Sequence, residues 1–234
     1  MRQVQSYVDE RLAAFCYSCF GAPTTRDHVP PKVLLDEPFP ENLPVVGACQ
    51  TCNEGPSVDE EYFACLLEIA ACGPAGRHLM RPKVRRILDE RPALASRLEA
   101  AVNEDGYLRV EENRARRVIE KIARGLWSYE TGETTGTMDA VVWFAPIDEL
   151  TDDDVQSFLT VPTPSILPEV GSRLMFKVLD SLKAGQQPHV WENMQPQRFA
   201  YAIAPSAGSR GGVRMIIRDY LAVRVELQAK GEVW

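Results

Sequence analysis

The chain is 234 residues long, 45% of them apolar and 25% charged, which excludes a disordered or fibrous polymer and leaves room for one large domain or two unequal ones. Its net charge of −7 excludes a protein that holds nucleic acid by bulk electrostatics, because phosphate neutralisation by Lys and Arg supplies that affinity. No stretch reaches the roughly 18 apolar residues of a membrane span, and Asp9, Glu10 and Arg11 stand where a signal peptide is apolar, so we expect no membrane partner and a cytoplasmic location.

Val4, Val8, Leu12 and Phe15 recur at helical spacing and predict a packing helix over residues 1–15. From Cys16 to Gly55 the chain turns proline-rich and irregular, with extended stretches expected near 32–35 and 43–46. A helix follows over 57–71, with Ser57 as N-cap and Glu60 completing a capping box. Further helices are predicted over 83–89, 92–102 and 111–129; in the last, Val118, Ile119, Ile122 and Leu126 share an apolar face. Ala140 to Pro146 reads as a buried strand, 152–159 as a helix after an acidic cap, and 161–168 as a proline-rich linker. Residues 199–204 and 213–227 read as strands flanking a glycine-rich turn at 208–212.

The charge is unevenly placed: residues 77–124 carry 13 basic and 8 acidic groups, whereas 125–172 carry no basic group at all. Arg114, Arg117, Lys121 and Arg124 fall on one side of the predicted 111–129 helix, where they form either a solvated face or a stripe able to track phosphates, with Arg85 and Arg86 extending it. Arg210, followed by Arg214 and Arg218, suggests a phosphate-contacting loop or simply a hairpin turn. The acidic block reads as solvent-facing linker and helix caps, or as a surface for a protein partner.

Four of the six cysteines form two Cys-x-x-Cys pairs, Cys16 with Cys19 and Cys49 with Cys52. Four soft thiolates in two knuckles are the ligand set of a closed tetrahedral structural Zn²⁺. Cys65 and Cys72 read as buried thiols. Between the knuckles lies Arg26-Asp27-His28-Val29-Pro30-Pro31, and Asn53 follows the last cysteine directly. Asp27 and Asn53 offer hard oxygen donors that suit Mg²⁺ or Mn²⁺. His28 has an imidazole able to take a proton from water near neutral pH.

In order, Cys-x-x-Cys, Asp27-His28 with a following proline, Asn42-Leu43, and Cys-x-x-Cys-Asn53 resemble the HNH nucleases of the ββα-metal class. The resemblance covers about residues 14–65. It implies that Asp27 and Asn53 hold a catalytic metal, that His28 activates the water, and that Asn42 ties the loop and orients the histidine. Lys32, just past the motif, is placed to touch a phosphate. Where many relatives end the motif with His, this chain has Asn53, which favours Mg²⁺ or Mn²⁺.

The expected fold is therefore α+β: a zinc-stapled ββα-metal module in residues 1–75, followed by an α+β domain over 76–234 with helices and a C-terminal antiparallel sheet. The expected activity is metal-dependent phosphodiester hydrolysis, in DNA more than RNA, leaving 5′-phosphate and 3′-hydroxyl ends as the resemblance implies, in restriction or phage defence. Two rivals stay open. One is a non-catalytic zinc module that binds nucleic acid or a protein, and the other a nuclease acting on RNA or single-stranded DNA.

Overall fold

A computed structural model describes residues 14–72, 80–102, 110–161, 168–185, 191–204 and 211–231. The expected N-terminal helix, the 161–168 linker, most of the glycine-rich turn and Arg210 lie largely or wholly outside these residues. The fold is α+β, with helices and a C-terminal antiparallel sheet. Among the described residues no helix is long and apolar enough to cross a membrane.

The chain forms two compact units, one of Met1–Glu54 with Ile119–Trp234 and one of Gly55–Val118. The boundary differs from the sequence division at residue 75. The cysteine-bearing segment is too short and irregular to bury a core alone, and it belongs with the C-terminal sheet rather than with the helices that follow it in sequence.

The first unit opens with a short hairpin, β1 (Thr25–His28) paired antiparallel with β2 (Val45–Ala48), and Asp27 stands opposite Val46. Where extended chain is expected at 32–35, residues Lys32–Leu34 form a 3₁₀ turn, and the strand lies earlier. β2 leads into a one-turn helix, α1 (Gln50–Glu54). After the second unit, α5 (Glu112–Thr131, labelled in chain order) carries buried Ile119, Ile122, Ala123, Leu126 and Trp127. Gly132, in the left-handed region at φ 78°, closes it, and its N–H donates to the Ser128 carbonyl.

A five-stranded antiparallel sheet completes the unit in the order β3 (Met138–Pro146), β7 (Leu221–Ala229), β6 (Gly211–Ile217), β5 (Phe199–Ala204) and β4 (Glu192–Gln195). Alternation sets its faces: Val213, Met215 and Ile217 of β6 and Val223, Val225 and Leu227 of β7 are fully buried, while Arg224 points outward. The predicted single strand over 213–227 is broken between β6 and β7. There Arg218 and Asp219 both take positive φ, 61° and 50°, and make a tight turn without glycine.

Two helices lie between β3 and β4. α6 (Asp152–Leu159) has Thr151 as N-cap in a reciprocal capping box with Asp154. Arg214 caps its other end by donating to the carbonyls of Ser157 (3.0 Å), Phe158 and Thr160 (2.7 Å), so this arginine serves the fold rather than a phosphate loop. Phe158 lies between Trp143 and Trp191, with ring centroids 6.4 and 5.5 Å away. α7 (Arg173–Lys183), capped by Ser172, was not anticipated. Its Lys177 reaches fully buried Glu130 of α5 at 2.7 Å, and the Tyr201 hydroxyl donates to the same carboxylate oxygen at 2.6 Å. The last turn of α5 is thereby bound to both α7 and the sheet.

The second unit holds α2 (Ser57–Cys72), α3 (Pro82–Glu90) and α4 (Pro92–Ala100), close to the predicted spans. Ser57 is not the N-cap of α2. The Asp59 and Glu60 amides donate instead to the Pro56 carbonyl. Fully buried Glu68 is matched by Arg81, whose Nε and backbone N–H donate to its two oxygens at 2.8 and 2.7 Å.

Candidate functional site

Cys16, Cys19, Cys49 and Cys52 come together with their sulfurs all within 4.8 Å of one another. Cys19 Sγ and Cys49 Sγ are 3.7 Å apart, close to the roughly 3.8 Å edge of a tetrahedron with about 2.3 Å metal–sulfur bonds and far beyond a disulfide. The two knuckles are built from opposite ends of the hairpin. The Cys16 amide donates to Gly21 O (2.7 Å) and the Phe20 amide to Cys16 O (3.2 Å), curling the first knuckle. Tyr17 N–H donates to Gly47 O (3.0 Å) and so lays that knuckle against β2. The backbone amide of Cys52 is the main influence that pulls the Cys49 thiol down to about 7, whereas burial pushes Cys52 up. Four cysteines so arranged could hold a structural metal ion such as zinc.

The rest of the unit grips this segment at three points. The backbone N–H and hydroxyl of buried Thr135 both donate to Tyr17 O, at 2.8 and 2.9 Å. Phe20 packs on Gly136, where an added Cβ would fall 2.4 Å from the ring. Asp36, between the two strands of the hairpin, exchanges hydrogen bonds with Gln195 (2.9 Å each) and pairs with Arg198.

Asp27 and Asn53 are linked through Lys121. Asp27 points inward from β1, its side chain 6% exposed, and its Oδ2 receives the Tyr17 hydroxyl at 3.3 Å and the Lys121 ammonium at 3.1 Å. Burial raises the Asp27 carboxyl above the usual carboxylate range, and Lys121 opposes that rise. The same Lys121 ammonium donates to the backbone carbonyl of Asn53 at 2.8 Å. Asn53 in turn donates through Nδ2 to Thr25 Oγ1 (3.0 Å) and to Arg26 O (3.3 Å). Because a carbonyl only accepts, this orientation fixes the nitrogen towards β1 and turns Oδ1 away from it.

His28 is the next residue on β1 and leaves the strand on the other side, half-buried. Among the described residues no hydrogen bond reaches its imidazole. Burial first, and the nearby Lys32 charge second, lower its pKa below the ordinary value, which favours the neutral ring. Lys32 itself lies over the Phe39 ring, 5.2 Å from the centroid. Asn42 sits in an exposed turn before β2 and makes no hydrogen bond to His28. The orienting role that the resemblance implies for Asn42 therefore has no contact behind it.

The expected basic stripe on α5 is not a solvent-facing set. Arg114 and Arg117 both pair with Asp59 within the second unit, and Arg114 also stacks on Tyr62 with 4.0 Å to the ring centroid. Arg124 pairs with Glu120 and donates to the carbonyls of Thr135 (2.7 Å) and Met138 (2.9 Å). Side-chain exposure is 17%, 7% and 12% for Arg114, Lys121 and Arg124, against 58% for Arg117. Helical spacing puts these residues on one side of the helix. It does not reveal the acids and carbonyls that meet them there.

No family model matches the chain, and neither a curated protein nor a solved structure matches it.

Two further residues shape this neighbourhood without a local signal in the sequence. Tyr17, a core aromatic by composition, hydrogen-bonds Asp27. Gly125, one turn beyond Lys121, lets α5 approach Val29 so closely that an added Cβ would lie 2.6 and 3.1 Å from the two Val29 methyls. Val29 is buried and β-branched and has little freedom to yield. Gly125→Ala gains about 1 kcal/mol of helix propensity but overpacks at a cost of about 1–3 kcal/mol. We expect a net loss of up to about 2 kcal/mol that lowers the Tm by up to about 8 °C, with partial recovery when Val29→Ala is added. Calorimetry showing an unchanged or raised Tm would contradict this contact.

Proposed function

We propose that this chain is a metal-dependent endonuclease of the HNH type, hydrolysing phosphodiester bonds, in DNA by preference. The observation that carries the reading is the meeting of a buried carboxylate, Asp27, and the Asn53 backbone carbonyl at the Lys121 ammonium beside a four-cysteine cluster, with His28 at the next position of the same strand. The cysteines would hold a structural Zn²⁺, which replaces the core that so irregular a segment cannot build.

A carboxylate and an amide oxygen are hard donors, so the donor types suit Mg²⁺ or Mn²⁺. Asp27 and Asn53 would hold such an ion, which when bound would stabilise charge on the phosphate and its leaving oxygen. Tyr17 and Lys121 hold the Asp27 carboxylate in place through Oδ2. His28, neutral and next to Asp27, accepts a proton from the attacking water. The hairpin and knuckles keep the two strands from sliding relative to each other. A role in restriction or phage defence fits this chemistry, with the nucleic acid delivered by a partner protein, given the net negative charge.

The assay is nicking of supercoiled plasmid by the purified chain with Mg²⁺ or Mn²⁺, run beside single-stranded DNA and RNA. Plasmid conversion that stops with EDTA supports the reading, and cleavage confined to RNA or single strands moves the substrate class. One observation favours a non-catalytic zinc module instead: Asp27 already has an ammonium and a hydroxyl as partners. Inert protein under every metal condition would establish that rival.

A further inference from the structure

We propose that Cys19 is a hydroperoxide-reactive site, that Cys49 completes the reaction by forming a disulfide between the two knuckles, and that the cluster gives up its zinc as this bond forms. The inference rests on the four cysteines holding zinc, not on the nuclease reading.

The cysteines differ in access. Cys19 is exposed, Cys16 is buried, and Cys49 and Cys52 are partly covered. Gly21 helps to keep the Cys19 sulfur open, because a Cβ at that position would lie 3.3 Å from Sγ. The two cysteines outside the cluster are protected in other ways. Burial is the main influence that pushes the Cys65 thiol up to about 12, and the Cys72 thiol is directed at Glu68 Oε1, 4.0 Å away. A thiol is a much weaker nucleophile than a thiolate, whereas ligation to zinc keeps sulfur as the thiolate. Cys19 therefore joins the two properties that peroxide chemistry needs, thiolate character and access.

The reaction has two steps. The Cys19 thiolate attacks the terminal oxygen of the hydroperoxide. An S–O bond forms, the O–O bond breaks, and the leaving oxygen takes a proton from water. Cys49 Sγ, 3.7 Å away, then attacks the Cys19 sulfur. An S–S bond forms, the S–O bond breaks, and the departing hydroxide is protonated by solvent. Two thiolates lose two electrons in all, and the hydroperoxide is reduced to water and an alcohol, or to two waters when it is hydrogen peroxide. Cys16 and Cys52 are left as the remaining thiolates, half of a closed tetrahedral set.

The second step needs the knuckles side by side at the moment the metal leaves, and bonds remote from the sulfurs provide this. Thr135 holds the Tyr17 carbonyl through two donors, and Phe20 packs on Gly136. The Tyr17 amide donates to the carbonyl of Gly47, two residues before Cys49. Closing the sulfur separation to the roughly 2.05 Å of a disulfide is then a small motion between two held segments. The new bond encloses residues 20–48 and keeps the knuckles joined, so reduction returns four thiols to positions from which they can take up zinc again.

The test adds hydrogen peroxide to the zinc-loaded full chain, follows released zinc with a chromogenic chelator, and maps the modified cysteines by peptide mass spectrometry. Zinc release is expected to keep step with a Cys19–Cys49 disulfide, while Cys65 and Cys72 stay unmodified. With dimedone present to trap sulfenic acid, Cys19 is expected to carry the adduct and the disulfide yield to fall at least fivefold. Dithiothreitol with added Zn²⁺ should restore the zinc content of the chain oxidised without dimedone. First modification at another cysteine, a disulfide within one knuckle or between two chains, zinc retained after Cys19 is modified, or thiols unchanged in a large excess of peroxide overturns the inference and leaves the zinc reading standing. A chain that carries no zinc before oxidation overturns both.

Discussion

His28→Ala is expected to reduce plasmid nicking by about 10²- to 10⁴-fold, the usual contribution of a positioned general base, while zinc content, the melting transition and Mn²⁺ binding stay near those of the parent. The separation follows from where His28 sits. It is half-buried, no hydrogen bond from the described residues reaches its ring, and neither the four sulfurs nor the two oxygen donors belong to it. Truncating it removes a proton acceptor and about 1 kcal/mol or less of stability. Asp27 would make a poorer test. Asp27→Asn leaves the Lys121 ammonium buried without its counter-charge, and breaking such a pair costs about 3–5 kcal/mol, so lost activity could simply report lost fold. A His28→Ala protein that cuts at the parental rate refutes the base assignment, and a purified parent that never cuts removes the question.

The parts of this site that were legible in the sequence are those whose chemistry is local. Cys-x-x-Cys spacing dictates how two sulfurs reach one ion, and the Asp27-His28 pair and Asn53 are fixed relative to those knuckles by only a few residues. Helices over 83–89, 92–102 and 111–129 followed from apolar periodicity, and α6 emerged with its predicted bounds because its acids and Thr151 make a local cap. What failed depended on distant partners. Lys121 was legible only as one more cation on a basic helix side, since nothing near it in sequence names Asp27 or Asn53. Arg214 looked like a loop cation until α6 supplied the carbonyls it caps. The break between β6 and β7 was invisible because Arg218 and Asp219 adopt a backbone conformation that ordinarily signals itself with glycine or asparagine. The grouping of the cysteine segment with the C-terminal sheet was not legible for the same reason, since Thr135, Gly136 and Gln195 hold the knuckles and their loop from far along the chain.

Removal of zinc is the second result with a large expected effect, and its outcome should be uneven across the chain. Structural zinc contributes about 10–16 kcal/mol of apparent binding energy in small modules, as much as a whole domain's usual stability of about 5–15 kcal/mol. The segment from Cys16 to Asn53 is tied internally by a four-residue pairing and a few turn bonds, too little to hold its shape without that energy. The five-stranded sheet and α5 have their own fully buried core. We therefore expect about one zinc per chain, and expect a strong chelator or Cys49→Ser to eliminate nicking and Mn²⁺ binding. Far-UV circular dichroism should lose only a minor part of its signal. Amide exchange should locate the loss: protection disappears from the Val45–Ala48 strand and persists in Leu221–Ala229. If protection at Val45–Ala48 survives chelation, the sulfurs are not what keeps Asp27 and Asn53 together. The three grips from Thr135, Gly136 and Asp36, with Lys121 bridging the Asp27 and Asn53 segments, would then be sufficient to hold the site in register.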